Sequence, residues 1–201
     1  MGVSSFPPVS GGGAAKIQKT EKITSTQSWT APSDVDTVEL IISGGGGGGG
    51  SASSSTTAFG GGGGSVFWEV IEVTPSSSHT ITIGGGGAGA TVNSGSVGSN
   101  TTFGSLFTAT GGGVATLSTE AAAQAGLGGG GGGGQIGAYL STGQTGAFGL
   151  GNGGGVKAGR SSAGTLAPPA NTGQGGGGTK DSETSGAGGS GVCFIKYWSA
   201  V

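Results

Sequence analysis

An unbroken run of seven glycines fills residues 44–50, and a second fills residues 128–134. Such a run has no side chain to bury, and it loses more backbone freedom on ordering than any other sequence. If ordered, it must be held by main-chain hydrogen bonds to neighbouring segments. The conformation that suits this packing is polyproline II, with three residues per turn, in which seven residues span about 22 Å. A bundle of such helices is a rod or slab rather than an enzyme pocket.

Disorder is the rival explanation, because glycine takes 54 of 201 positions, far above the usual ~7%. Charge decides against it. Disordered chains combine high charge with low hydrophobicity, yet here 8% of residues are charged and 32% are apolar, with net charge −2. Residues 73–156 hold a single charge, Glu120, which fits dense backbone packing where a charge would lack solvation. Lys16, Lys19 and Lys22 are the only basic grouping, too small for a nucleic-acid footprint. Cys193 stands alone, so no disulfide within the chain is expected. The first residues lack a secretory pattern. Gly2 departs from a myristoylation pattern because Phe6 stands where Ser or Thr is wanted. With no apolar run near ~18 residues, neither membrane insertion nor a secretory route is expected, and assembly in a cytoplasm is.

Along the chain, residues 1–22 read as an arm and residues 23–201 as the folded domain. Phe6, Pro7, Pro8 and Val9 form an extended apolar tip, followed by a glycine joint at 11–13 and then the lysines. That arrangement is either a docking peptide or a frayed terminus. Trp29-Thr30-Ala31-Pro32 makes a turn-like step after a short extended run. Val38, Leu40 and Ile42 alternate with Thr37, Glu39 and Ile41, a half-buried strand that runs into the first glycine block. Residues 66–73 and 80–83 are further strands. Residues 101–110 form a hairpin with Gly104-Ser105 as a type II′ turn, and residues 192–198 are the last strand. Residues 118–127 have some helical character, a turn or two, and a loop serves equally there. The expected fold is mainly β with little or no α, short strands clamping a bundle of polyproline-II-type helices. Trp29, Phe67, Trp68, Phe103, Phe194, Tyr197 and Trp198 are its expected core. That core is thin for the chain's length, and oligomerisation is the usual remedy.

Chemistry is hard to place in this sequence. Glycine-rich chains match dinucleotide fingerprints by accident, and Gly177-Gly178-Thr179-Lys180 has the phosphate-loop order reversed. His79 is the single histidine and lies far from the single cysteine, so no metal site with ordinary ligands is expected. A structural role for His79 is the stronger expectation over a Ser–His–Asp arrangement. Glu69 and Glu72, three apart in a strand, point to opposite faces. No enzyme activity, cofactor or metal is expected. Asn100-Thr101-Thr102 matches a glycosylation acceptor by chance.

The order of these features resembles the glycine-rich domain of tail fibre and tail tip proteins of tailed bacteriophages. The features are the Trp29-Thr30-Ala31-Pro32 step, the strand entering residues 44–50, the strand at 66–73, residues 81–87, the Thr101-Thr102-Phe103-Gly104 hairpin, and the closing strand 191–198 with its aromatic pair. The resemblance covers about residues 26–198. It implies a homotrimeric distal piece of a virion, anchored to another virion protein and touching a host polysaccharide or protein. The family brings no catalytic residues. On that footing the arm residues Phe6, Pro7, Pro8 and Val9 become virion anchors. The contact surface is expected on residues 135–150 and 156–172, where Tyr139, Phe148, Asn152, Lys157, Arg160 and Asn171 interrupt the glycine. Tyr139 and Phe148 suit sealing the edge of an oligomer equally well. The alternative function is a capsid decoration or head-fibre protein with a purely structural role. A glycine-rich wall or ice-binding protein is a distant third.

Overall fold

A computed structural model describes residues 14–51, 60–114, 150–151, 168–179 and 184–201. The described part is mainly β, with two four-stranded antiparallel sheets and no helix. The segment 118–127 lies outside the described residues. Sheet I has the order β1-β8-β3-β4, from β1 (Lys16–Ile23), β3 (Thr37–Ser43), β4 (Val66–Glu72) and β8 (Val192–Ala200). Sheet II has the order β2-β5-β6-β7, from β2 (Gln27–Thr30), β5 (Ser78–Thr82), β6 (Thr101–Phe103) and β7 (Phe107–Ala109).

Alternation sets which residues are inside. On β3, Val38, Leu40 and Ile42 are buried while Glu39 and Ile41 are half-exposed. On β8, Cys193, Ile195 and Tyr197 are buried while Phe194, Lys196 and Trp198 lie half-buried on the other face. The inner residues of sheet I pack with Trp29, Ile81, Phe103 and Ala109 of sheet II in one core. Trp29, Phe103 and Tyr197 thus take the expected core positions. Phe194 and Trp198 do not, lying half-buried on the outer face, and neither does Trp68, which is 60% exposed. It is paired with Ile41, which is in turn paired with Phe194, so all three share the sheet I face turned away from sheet II.

β1 extends the strand set at the N-terminal side. Lys16–Lys22, read from the sequence as part of the arm, pair along β8 from Lys16↔Ala200 to Lys22↔Phe194. The β6–β7 hairpin forms as expected. Gly104 has φ +52°, Ser105 keeps an ordinary φ, and the Leu106 N–H donates to the Phe103 carbonyl at 3.0 Å. Phe103 pairs with Phe107, so the loop holds three residues, Gly104, Ser105 and Leu106, one more than the two-residue II′ turn expected.

Beyond the strands, residues 44–50 run through the middle of the remaining chain, and their bonding repeats every three residues. The N–H groups of Gly44 and Gly47 donate to Ser65 and Gly62, those of Gly45 and Gly48 to Ser99 and Ser96, and those of Gly46 and Gly49 to Gly189 and Gly186. Partner numbers fall by three as the donor rises by three, so these three neighbours run antiparallel. Carbonyls accept from three other segments: Gly45 from Gly112, Gly46 from Gly87, and Gly47 and Gly50 from Gly176 and Thr179.

The neighbours are also bonded to one another. Bonds such as Ser65→Thr110, Gly98→Gly112, Ser99→Gly85, Gly188→Gly87, Gly189→Gln174 and Gly61→Gly176 close a ring around the central segment. Polar backbone groups in that interior need partners, and the ring supplies most of them from its own backbone, with Ser43 Oγ and Ser185 Oγ donating to the Gly44 and Gly49 carbonyls. β3, β4 and β8 of sheet I and β5, β6 and β7 of sheet II all connect directly to these segments at one end. The sheets therefore cap the glycine assembly rather than surround it.

Candidate functional site

His79 is the first residue to test for chemistry. It sits on β5 with its ring stacked on Phe103 at 5.1 Å between centroids and 6.2 Å from Trp29. Its Nε2 lies 2.8 Å from Ser77 Oγ, and Ser77 Oγ itself donates to the Thr74 carbonyl at 2.6 Å. The hydroxyl proton is committed to that carbonyl, so the imidazole donates to Ser77 rather than accepting from it. An imidazole in that role is no base for a serine nucleophile. Among the described residues, no three His, Cys, Asp or Glu side chains gather as a metal centre would require. Cys193 is fully buried, and that burial pushes its thiol up to about 12, so it holds its proton.

Glu21 joins the two sheets. One oxygen, Oε1, accepts from the indole N–H of Trp29 at 3.0 Å and from the Tyr197 hydroxyl at 2.6 Å. Burial first, then this bond and the carboxylate's charge, push the Tyr197 hydroxyl up to about 12. The cluster ties β1 and β8 of sheet I to β2 of sheet II.

Asp34 makes a second clasp, at the end of β8. Its carboxylate accepts from the Ala200 N–H at 2.7 Å and Ser199 Oγ at 3.0 Å, with Lys16 Nζ 3.6 Å away. The Ala200 hydrogen bond is the main cause holding this carboxyl below its ordinary range. Because the folded state lowers the pKa, the stabilisation is complete above the unfolded value near 4 and is lost as pH falls through the folded value. On acidification below about pH 4, the Ala200 amide resonance should shift before the protein unfolds globally. Asp34→Asn should remove that acid-dependent step, and NMR titration of the Ala200 amide checks both.

The outer face of sheet I interleaves charges with aromatic rings. Trp68 donates its indole N–H to Glu39 Oε1 at 2.8 Å, and Lys196 reaches Glu39 Oε2 at 2.8 Å. Lys196 Nζ also lies 5.2 Å from the Trp198 ring, and Lys22 Nζ 5.6 Å from the Phe194 ring, both within cation–π range. Val70 is 65% exposed beside them.

The other end of the glycine assembly, away from the sheets, is marked by Ser51. It bridges to Asn93, which has φ +73°, and to Thr179. Ser51 Oγ is buried without a hydrogen-bond partner among the described residues. Nearby Ser185 Oγ donates to the Gly49 carbonyl at 2.6 Å. The described chain leaves this end at Ser51 and Thr179 and re-enters it at Gly60 and Thr184. By contrast, Gly151 and Thr172 are bonded to each other at the sheet end, where Gly151 lies against Gly64 and Val66.

Of the residues read as candidate contacts, Tyr139, Phe148, Asn152, Lys157 and Arg160 lie outside the described residues, as do the anchors Phe6, Pro7, Pro8 and Val9. Asn171 is described, at the sheet end. Its φ is +62°, its N–H donates to Ser190 Oγ at 2.9 Å, and its Oδ1 accepts from that hydroxyl at 3.1 Å. Those bonds use it as a turn residue.

With the backbone ring and its strand caps in view, the comparison with known families is decisive: residues 20–198 match the glycine-rich domain family. The chain belongs to that family. The match runs from within β1 to within β8, so this glycine-rich domain comprises both sheets and the ring together, and the sheets are not a separate module. No curated protein matches the chain.

Proposed function

We propose that this glycine-rich domain protein is a virion structural protein, a bacteriophage tail fibre or fibre-tip module that works as a homotrimer and contributes to host-surface recognition. The observation that carries the reading is the closed ring of backbone-bonded segments around residues 44–50. A scaffold of this kind needs no ligand, leaves few side chains to attack, and sends its variable residues to the connections between segments. Its three-residue bonding repeat is the repeat of polyproline II, and we take the segments to have that conformation. Assembly into a homotrimer is supported by the exposure of Trp68 and Val70 on sheet I, surface that a soluble single copy gains nothing by displaying. The arm with Phe6, Pro7, Pro8 and Val9 would join it to another virion protein. Tyr139, Phe148, Asn152, Lys157 and Arg160 would meet the host surface, with Asn171 supporting them from its turn.

A tag on Val201, imaged on purified particles, tests the reading. Signal at the distal tail is the expected result. Signal on the capsid would replace the fibre by a decoration protein, and particles without the protein would end the virion reading altogether. On labelled tails, alanine at Tyr139, Phe148 and Arg160 should lower adsorption without lowering incorporation.

A further inference from the structure

The outer face of sheet I is apolar where it is most exposed. Phe194, Ile41 and Trp68 form one row across β8, β3 and β4, and Lys196, Glu39 and Val70 form the next. Trp68 is 60% and Val70 65% exposed. Lys196 is paired with Glu39, and Lys22 lies over the Phe194 ring. The charges nearest the rings are thus engaged on the face itself, and what the face lacks is an apolar cover.

The chain enters this face at its Trp198 end. β1 begins at Lys16, paired with Ala200, and the Ala15 carbonyl accepts from the Val201 N–H at 3.3 Å. Ahead of Ala14 stand thirteen residues with no charged side chain, and their apolar group is Phe6, Pro7, Pro8 and Val9. Val9 is five residues from Ala14 and Phe6 eight, reaches of about 16 and 25 Å in an extended chain. β1 itself runs about 20 Å from Lys16 to Lys22. A reversal at the glycines of residues 11–13 therefore lays the tip along the face. Pairing of the tip with the β1 edge is disfavoured by its two prolines. Backbone N–H groups alternate in direction along a strand, so one of two successive prolines always turns its missing donor toward the partner. A proline-rich segment binds instead by laying its rings on aromatic side chains, at little entropy cost because its conformation is already set.

We propose that the outer face of sheet I is the docking surface for the chain's own N-terminal arm, with Phe6, Pro7, Pro8 and Val9 seated against Trp198, Trp68 and Val70. The tether selects this occupant. A segment joined to the face by a short glycine linker acts at a roughly millimolar effective concentration, which a second copy at micromolar concentration does not match. The inference goes beyond the virion reading, in which the arm joins another protein and the face a neighbouring copy. Before assembly, each covers the other.

Disulfide trapping in the full chain tests it. Ser5→Cys is combined with Val70→Cys on the face, or with Thr108→Cys on sheet II as the control. Val70 and Thr108 are both exposed, so neither substitution threatens the fold. Cys193 is buried and holds its proton, which keeps it out of the exchange. Under mild oxidation, Ser5→Cys/Val70→Cys should close a disulfide within one chain at least about tenfold faster than the control. Adding Phe6→Ser/Val9→Ser should abolish that advantage. Equal closure rates at the two positions, or rates that ignore Phe6→Ser/Val9→Ser, overturn the docking. Disulfides between chains instead of within them also overturn it, by placing the arm on a second copy, and leave the virion reading standing. That reading falls only with the tag on particles.

Discussion

Gly47→Ala should cost more than about 4 kcal/mol, a loss reserved for severe mechanisms, and leave little folded protein, whereas Gly85→Ala should fold normally. A Cβ on Gly47 would collide with the carbonyl oxygen and carbon of Gly113. That carbonyl cannot step aside, because it already accepts from the Gly62 N–H at 2.9 Å. Ordinary overpacking costs about 1–3 kcal/mol because side chains can shift, but here the obstacle is backbone bonded on both sides. A Cβ on Gly85 meets nothing within 4 Å, and its φ is outside the left-handed region. Alanine there restricts the unfolded chain and should stabilise by about 0.4–1 kcal/mol. Urea melts of the two variants side by side decide the matter. Equal stabilities would mean that the ring does not hold the fold.

Trp29→Ala is expected to cost about 3–5 kcal/mol, the largest loss from any single side chain in the core. Trp29 touches both sheets: its ring is 5.8 Å from Phe103 and 5.7 Å from Tyr197. Trp29→Phe keeps most of the ring and removes the indole N–H, so it should cost about 1–3 kcal/mol. Tyr197→Phe removes the second donor to the same Glu21 oxygen. The double variant Trp29→Phe/Tyr197→Phe should deviate from additivity, because the two bonds share one acceptor. Thermal melts of the singles and the double supply the cycle, and strict additivity would show that Glu21 does not couple the sheets.

Period-two alternation made β3 and β5 legible in the sequence, and the glycine after Phe103 marked the β6–β7 turn. β1 was not legible. Its KIQKTEKI pattern is charged and mostly exposed, because an edge strand paired on one side only needs few apolar residues. Trp68 was misread because aromatic content was counted without its face, and register against Ile41 turns it outward. The ring around residues 44–50 was foreseeable only in kind. A run of identical residues carries no signal for which glycine meets Ser65, Ser99 or Gly189, and that choice is made by the strands that deliver each segment. Of the candidate contact residues, Asn171 alone could be placed, and its side chain serves the Ser190 turn. An asparagine between Ala170 and Thr172 looks the same in sequence whether it meets a partner or a neighbouring turn.

The threefold step of the ring constrains how such a chain can change length. Adding one glycine within residues 44–50 would hand every later donor to the wrong neighbour, since Gly47 and Gly48 bond to different segments while Gly44 and Gly47 share one. Adding three would restore each assignment, provided the six surrounding segments grew in step. Lengthening is therefore a collective event. Variation in this chain should leave the spacing of residues 44–50 and of their six bonded neighbours unchanged, because a change in one of them alone breaks the assignments of all.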